Sequence, residues 1–173
     1  MMTPIASAAA KAGIAAVAIV LVLARTRTLP RAEMGLVRPS FYPSLLLLAL
    51  YLAWMLGTDA AIHWRGPWDF GPWLAAPLLA SVLRVAAVGF LGPIAEELIF
   101  RGWFLGALQK RVGPALAILV TAAGWAALHY EYGLAVLGII LVDGLLLGIA
   151  RWRTGSVYPP ILMHVLYNLY AIW

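Results

Sequence analysis

The chain has 173 residues, 64% hydrophobic and 11% charged, with a mean hydropathy of +0.93 and no cysteine. These values exclude a water-soluble globular domain, which carries about 25% charged residues, and they exclude disulfides, thiolate nucleophiles and cysteine-rich metal sites. The net charge of +5 does not point to a nucleic-acid partner, because the basic residues sit between apolar runs, as topology signals do: Arg25, Arg27, Arg31 and Arg38 in one group, Arg151 and Arg153 in another.

A helix needs about 20 apolar residues to cross a bilayer, and seven segments approach that length: residues 5–24, 41–57, 72–91, 93–108, 114–128, 133–150 and 157–173. In the first, the alanine run 8–10 precedes the apolar core, the reverse of a cleavable signal peptide, so this segment is expected to stay as an anchor. A polar, aromatic linker over 58–71 leads to the third segment. Gly92-Pro93 is expected to close one helix and open the next, since proline is tolerated in a first turn where its missing N–H has no partner. Arg111-Val112-Gly113 and residues 151–156 supply further turns. The apolar runs are continuous rather than alternating, which excludes a closed β-barrel. The predicted fold class is therefore all-α, a polytopic transmembrane bundle of about seven hydrophobic helices. Residues 1–71 give the N-terminal helices and linker, and 72–173 give a helical core, together one membrane domain. Trp64, Trp68, Trp73, Tyr158 and Trp173 suit membrane interfaces.

Ionisable groups at bilayer depth cost roughly 2.5 to 3.5 kcal/mol each, so the stretch Glu96-Glu97-Leu98-Ile99-Phe100-Arg101 marks a site. Counted from a break at Pro93, both carboxylates fall in a first helical turn, where the dipole favours negative charge. Glu97 and Arg101 share a face and can pair. Glu96 points about 100° away and is left to act as a general base. His129 closes the fifth segment, with Trp125 one turn before it; if the fourth and fifth segments cross as an antiparallel pair, Glu96 and His129 meet at one side of the bilayer. In the last segment His164 and Asn168 project from one face. Two readings of that pair stand: donors to an oxyanion on a peptide carbonyl, or interhelical hydrogen bonds that hold the bundle. Asp143 and Arg84 are further embedded charges, expected to pair with each other or with site residues, and Gly144 and Gly148 form a small face suited to close helix packing.

The series Glu96-Glu97-x-x-x-Arg101, an aromatic four residues before His129, and His164-x-x-x-Asn168 resembles the CAAX protease and bacteriocin-processing family of glutamic intramembrane proteases. Thr154-Gly155-Ser156 and Pro159-Pro160 are also similar to that family, and the resemblance spans residues 84–173. It implies that 72–173 is a catalytic core, and that the protein is an endopeptidase cleaving a membrane-anchored or lipidated protein near its anchor or C-terminal tail. Carried over by motif position, Glu96 and His129 activate a water, His164 and Asn168 form the oxyanion hole, and Glu97 and Arg101 support the site. Phe100 and Trp125 border the substrate pocket. Trp125 stands where the family commonly has Phe, a change expected to alter pocket shape more than chemistry. No metal, cofactor or acyl-enzyme is implied.

Two alternatives accompany this reading. One is a zinc enzyme using Glu96, His129 and His164 as ligands; the other is a non-catalytic membrane receptor or immunity protein that binds a peptide tail. An ion pathway ranks below both, because the polar groups concentrate in one site. With seven crossings, Arg65, Lys110, Arg111, Arg151 and Arg153 fall on one side and Arg25, Arg27, Arg31 and Arg38 on the other. That balance leaves the side on which the site opens undecided, with a lean to sorting of exported proteins, as in the small myxosortase-like branch. The expected location is a prokaryotic inner membrane. Oligomeric state is not legible.

Overall fold

The computed structural model describes residues 4–62 and 75–172. Trp64, Arg65, Trp68, Trp73, Trp173 and the first residues of the third expected segment lie outside the described residues. Within them run α1 (Pro4–Arg25), α2 (Phe41–Ile62), α3 (Leu78–Val112), α4 (Pro114–Ala127), α5 (Leu134–Thr154) and α6 (Tyr158–Ala171), with no strand among the described residues. Four of these, α1, α2, α3 and α5, are long and apolar enough to cross a membrane. The other two have 14 residues each, a rise of about 21 Å at 1.5 Å per residue, less than the ~30 Å of bilayer hydrocarbon. Burial is inverted relative to a soluble protein: Leu46, Leu78 and Leu134 are exposed on the outside, while Glu97, Arg101, Asp143 and Arg151 are buried inside. Such a surface is stable where the solvent is lipid.

Two expectations are corrected. The second helix does not stop at Gly57; the Thr58 hydroxyl donates back to Trp54 O (2.9 Å) and Met55 O (3.0 Å), and the helix continues to Ile62. More consequentially, Gly92-Pro93 does not separate two helices, because α3 runs through it as one 35-residue element. Glu96 and Glu97 thus lie near the middle of a long helix rather than in a first turn, and the dipole argument for them falls away.

What lets α3 pass through Pro93 is a change of register. Val85–Leu91 and Leu98–Phe104 are π-helical. Gly92 N–H bonds to Ala87 O and Leu105 N–H to Phe100 O, each five residues back. The wider π turn ahead of Pro93 eases the clash that its ring makes with the preceding turn of an α-helix. Returning from i−5 to i−4 pairing passes over a carbonyl, and Pro93 has no N–H to offer the turn before it; Val88 O and Arg101 O are left without a helical donor in this way. Both are claimed by side chains from the C-terminal helices: Asn168 Nδ2 donates to Val88 O at 2.8 Å, and Arg151 Nε to Arg101 O at 3.1 Å.

Arg151 also anchors the loop after α1, donating through Nη2 to Glu33 O at 3.0 Å. Gly35 has φ +70°, and a Cβ there would run into the Arg151 guanidinium; a Cβ at Gly106 would run into Glu33 O. Met34 is buried with Val22, Leu98 and Val157. Lys110 pairs with Glu33 at 2.6 Å, Arg25 lies 5.6 Å over the Trp103 ring, and Ser40 N–H donates to Thr154 O at 3.2 Å. The two basic groups expected on opposite sides therefore meet at one end of the bundle. Eight of the twelve Lys and Arg residues sit there: Arg25, Arg27, Arg31, Arg38, Lys110, Arg111, Arg151 and Arg153. The difference arises because one continuous α3 replaces two crossings with one.

At the α4–α5 contact, a Cβ on Gly144 would stand 3.0 Å from Ala122 Cβ, and one on Gly148 would stand 2.8 Å from Ile118 Cγ2. The small face thus sets a close approach that brings Trp125 on α4 beside α5.

Replacing Arg151 with Met orphans two carbonyls, each costing about 1 to 3 kcal/mol when buried and unpaired. Thermal unfolding in detergent micelles is expected to show a clear loss for Arg151→Met. The control Arg153→Met, at an exposed side chain, is expected to stay within about 0.5 kcal/mol of wild type.

Candidate active site

Glu97 is fully buried, and its Oε1 accepts from two cation-capable groups: Arg101 Nη1 at 2.7 Å, one turn along α3, and His164 Nδ1 at 3.0 Å, from α6. Arg101 is also fully buried; its Nη2 donates to Gly144 O on α5 at 3.1 Å and its guanidinium stacks 4.7 Å from the Trp125 ring centroid. One carboxylate thereby fixes the relative positions of α3, α5 and α6. A backbone carbonyl and an aromatic face add to the pair, while Glu97 Oε2 and Arg101 Nε are buried without a hydrogen bond among the described residues.

Glu96 takes no part in that pair. Its Oε2 accepts from the Trp125 indole Nε1–H at 2.6 Å, which leaves Oε1 as its free oxygen. Trp125 is buried, with its ring 5.1 Å from that of His129 and 5.2 Å from that of His164, edge-on to both. His129 Nδ1 lies 3.0 Å from Trp125 O. A carbonyl only accepts, so Nδ1 carries the hydrogen and the lone pair of the neutral ring is on Nε2. The same logic places the His164 hydrogen on Nδ1, facing the Glu97 carboxylate.

Glu96, His129, His164 and Asn168 all line one cavity of about 330 Å³, within the usual size range of ligand pockets. Trp125 lines it too. Phe100 does not: it is packed in the core with Tyr51, Trp125, Leu147 and Met163, and it borders a separate apolar cavity with Phe104, Leu108 and Gly124. Glu96, His129 and His164 do not form a metal-binding group, and no three His, Cys, Asp or Glu side chains do among the described residues.

Residues 77–170 match the family described as type II CAAX prenyl endopeptidase Rce1-like. The chain belongs to the Rce1-like family. An "Uncharacterized 24.3 kDa protein" of Escherichia coli is 29% identical over 128 residues, covering 65% of this chain and 58% of that protein, so the chain spans a little over half the length of this relative. No solved structure matches. The match is to the Rce1-like family at large and does not single out the myxosortase-like branch.

The cavity of this Rce1-like chain also has walls that sequence reasoning left without a role: Tyr51 on α2, Arg84 on α3, Asp143 on α5 and Tyr167 on α6. Asp143 Oδ1 accepts from Trp54 Nε1 at 2.9 Å, a partner on α2 rather than the expected Arg84 or a site residue. The available signal was the position of Asp143 within an otherwise apolar span.

The Trp125 indole N–H orients Glu96, and a hydrogen bond to a charged group contributes about 1.5 to 3 kcal/mol. Trp125→Phe keeps the ring contacts and removes that donor. Turnover of a cleaved substrate is expected to fall about ten- to a hundredfold, with the melting temperature in micelles little changed.

Proposed function

We propose that this protein is an intramembrane endopeptidase of glutamic type, hydrolysing a peptide bond of a membrane-anchored protein near its anchor or tail. The observation that carries the reading is the convergence of Glu96, His129, His164 and Asn168, from α3, the end of α4 and α6, on one cavity inside an apolar bundle. Membership of the Rce1-like family supports the class of reaction.

The chemistry follows from the hydrogen-bond directions. Glu96 Oε1 and His129 Nε2 are the open acceptors on one wall, suited to hold a water and take its proton as its oxygen bonds to the scissile carbonyl carbon. His164 Nε2 and the second amide hydrogen of Asn168 face the same space and receive the developing oxyanion. With Nδ1 facing Glu97, His164 donates from Nε2 when both ring nitrogens carry hydrogen. The proton taken from water passes to the amide nitrogen as the C–N bond breaks. Each oxyanion donor is typically worth about 2.7 to 4 kcal/mol.

Which side the site faces is argued from charge. Cytoplasmic ends of membrane proteins are enriched in Lys and Arg, and eight such residues gather at the end where α1, α3 and α5 finish. The cavity lies toward the other end, by His129, Tyr132 and the last turns of α6. This arrangement supports a site open to the exported side of a prokaryotic inner membrane, and substrates that are exported, anchored proteins awaiting removal of a tail.

In liposomes containing anchored reporter peptides, Glu96→Gln and His129→Ala are each expected to lower turnover about 10²- to 10⁴-fold, the usual contribution of general acid–base groups. Gln still accepts from Trp125, so Glu96→Gln should melt as wild type does. Glu97→Gln is expected to lose stability first, by about 3 to 5 kcal/mol, since it strips a buried charge of its partner. Wild-type turnover by Glu96→Gln would remove the mechanism. The chain has no cysteine, so single cysteines report topology cleanly: with intact inverted and right-side-out vesicles, Tyr130→Cys should label from the exported side and Arg31→Cys from the cytoplasmic side.

A further inference from the structure

We infer that Asp143 is a specificity determinant that receives the cationic head of a long basic side chain, Lys or Arg, of the substrate. The inference rests on the protease reading for the identity of the ligand as a substrate, and on the following geometry for its chemistry. Asp143 is 2% exposed and lines the cavity that holds Glu96, His129, His164 and Asn168. One carboxylate oxygen is held by Trp54 Nε1 at 2.9 Å. No hydrogen bond or ion pair occupies the other oxygen among the described residues, and that oxygen is not sealed away from the cavity. Arg101 and His164 act on Asp143 from a distance, and Arg84 lines the same cavity, but no cation bonds its carboxylate directly among the described residues. A buried carboxylate lacking such a bond is costly, and the cavity is the direction from which a further cation can reach it.

The wall leading to Asp143 favours a long side chain over a compact ammonium group. Val136, Ile139, Ile140 and Asp143 all line the cavity and follow one another at helical spacing along one face of α5, beginning near the His129–Tyr132 turn. An extended side chain entering from that turn lays its methylene stem on three aliphatic residues and brings its charged head to the carboxylate, the division of apolar stem and polar tip that Lys and Arg carry. Glu97 does not serve the same purpose, because it is fully buried and does not line the cavity, and its Oε1 is shared by Arg101 and His164.

The test uses the full chain in liposomes and anchored peptides identical except for Lys, Arg, Gln or norleucine at each position within three residues of the cleaved bond. Wild type is expected to prefer Lys or Arg over Gln at one position by at least about tenfold in kcat/KM, the size of a charge-assisted hydrogen bond. In Asp143→Asn that ratio should fall to near one, and Asp143→Glu should restore a basic preference. A ratio near one in wild type, or a preference that Asp143→Asn retains, overturns the inference. Binding of the same peptides to folded Glu96→Gln, read by fluorescence, separates the two readings. Tighter binding of basic peptides that depends on Asp143, without cleavage by wild type, sinks the protease and keeps the cation site. Equal binding of Lys and Gln peptides sinks the cation site.

Discussion

A carbonyl that a helix cannot pair within itself must be met by another donor, and in hydrocarbon that donor has to come from the protein. Among the carbonyls that α3 leaves unpaired are those of Val88 and Arg101, on either side of its acidic pair. Asn168 and Arg151 meet them. The long helix that carries Glu96 and Glu97 is therefore incomplete without α5 and α6, and the helices that supply the other polar groups are bound to it at fixed heights. The register shift and the active-site geometry are one constraint seen from two sides.

Within that frame the two adjacent carboxylates diverge. Glu97 is consumed by structure: fully buried, shared by Arg101 and His164, and linked through Arg101 to the backbone of α5. Glu96, one residue earlier, turns toward the cavity and, among the described residues, accepts from an indole N–H. Trp125 joins the two arrangements, since one face stacks on the Arg101 guanidinium while its nitrogen steadies Glu96 and its edges meet both histidines. The proposed reaction depends on this division, because a base must keep an oxygen open while its surroundings stay rigid.

Much of this was legible in the residues. Helical class and membrane setting follow from continuous apolar runs, and the Glu97–Arg101 and His164–Asn168 spacings place side chains on common faces whatever the tertiary fold. The break at Gly92-Pro93 was misread, because local rules treat proline as a terminator and carry no information about π turns, whose freed carbonyls are satisfied by residues 50 to 80 positions away. The same misreading sent the basic clusters to opposite sides. Phe100 came to the pocket with the family resemblance; in the fold it packs beside Trp125 in the core and borders a cavity other than that of Glu96. Asp143 stood out as an embedded charge, but its wall of the cavity depends on the α5 face and on Trp54, which no local pattern connects.

The clasp between Arg151 and Glu33 joins residues 118 positions apart, with consequences for how the protein comes into being. During synthesis the loop after α1 waits, undocked, until most of the chain has left the ribosome, and α3 keeps an unmet carbonyl for as long. Only when α5 arrives do the loop and the second register shift close together, and α6 then delivers His164 and Asn168 last. The polar groups that line the cavity are thus brought together only once α6 has docked against α3.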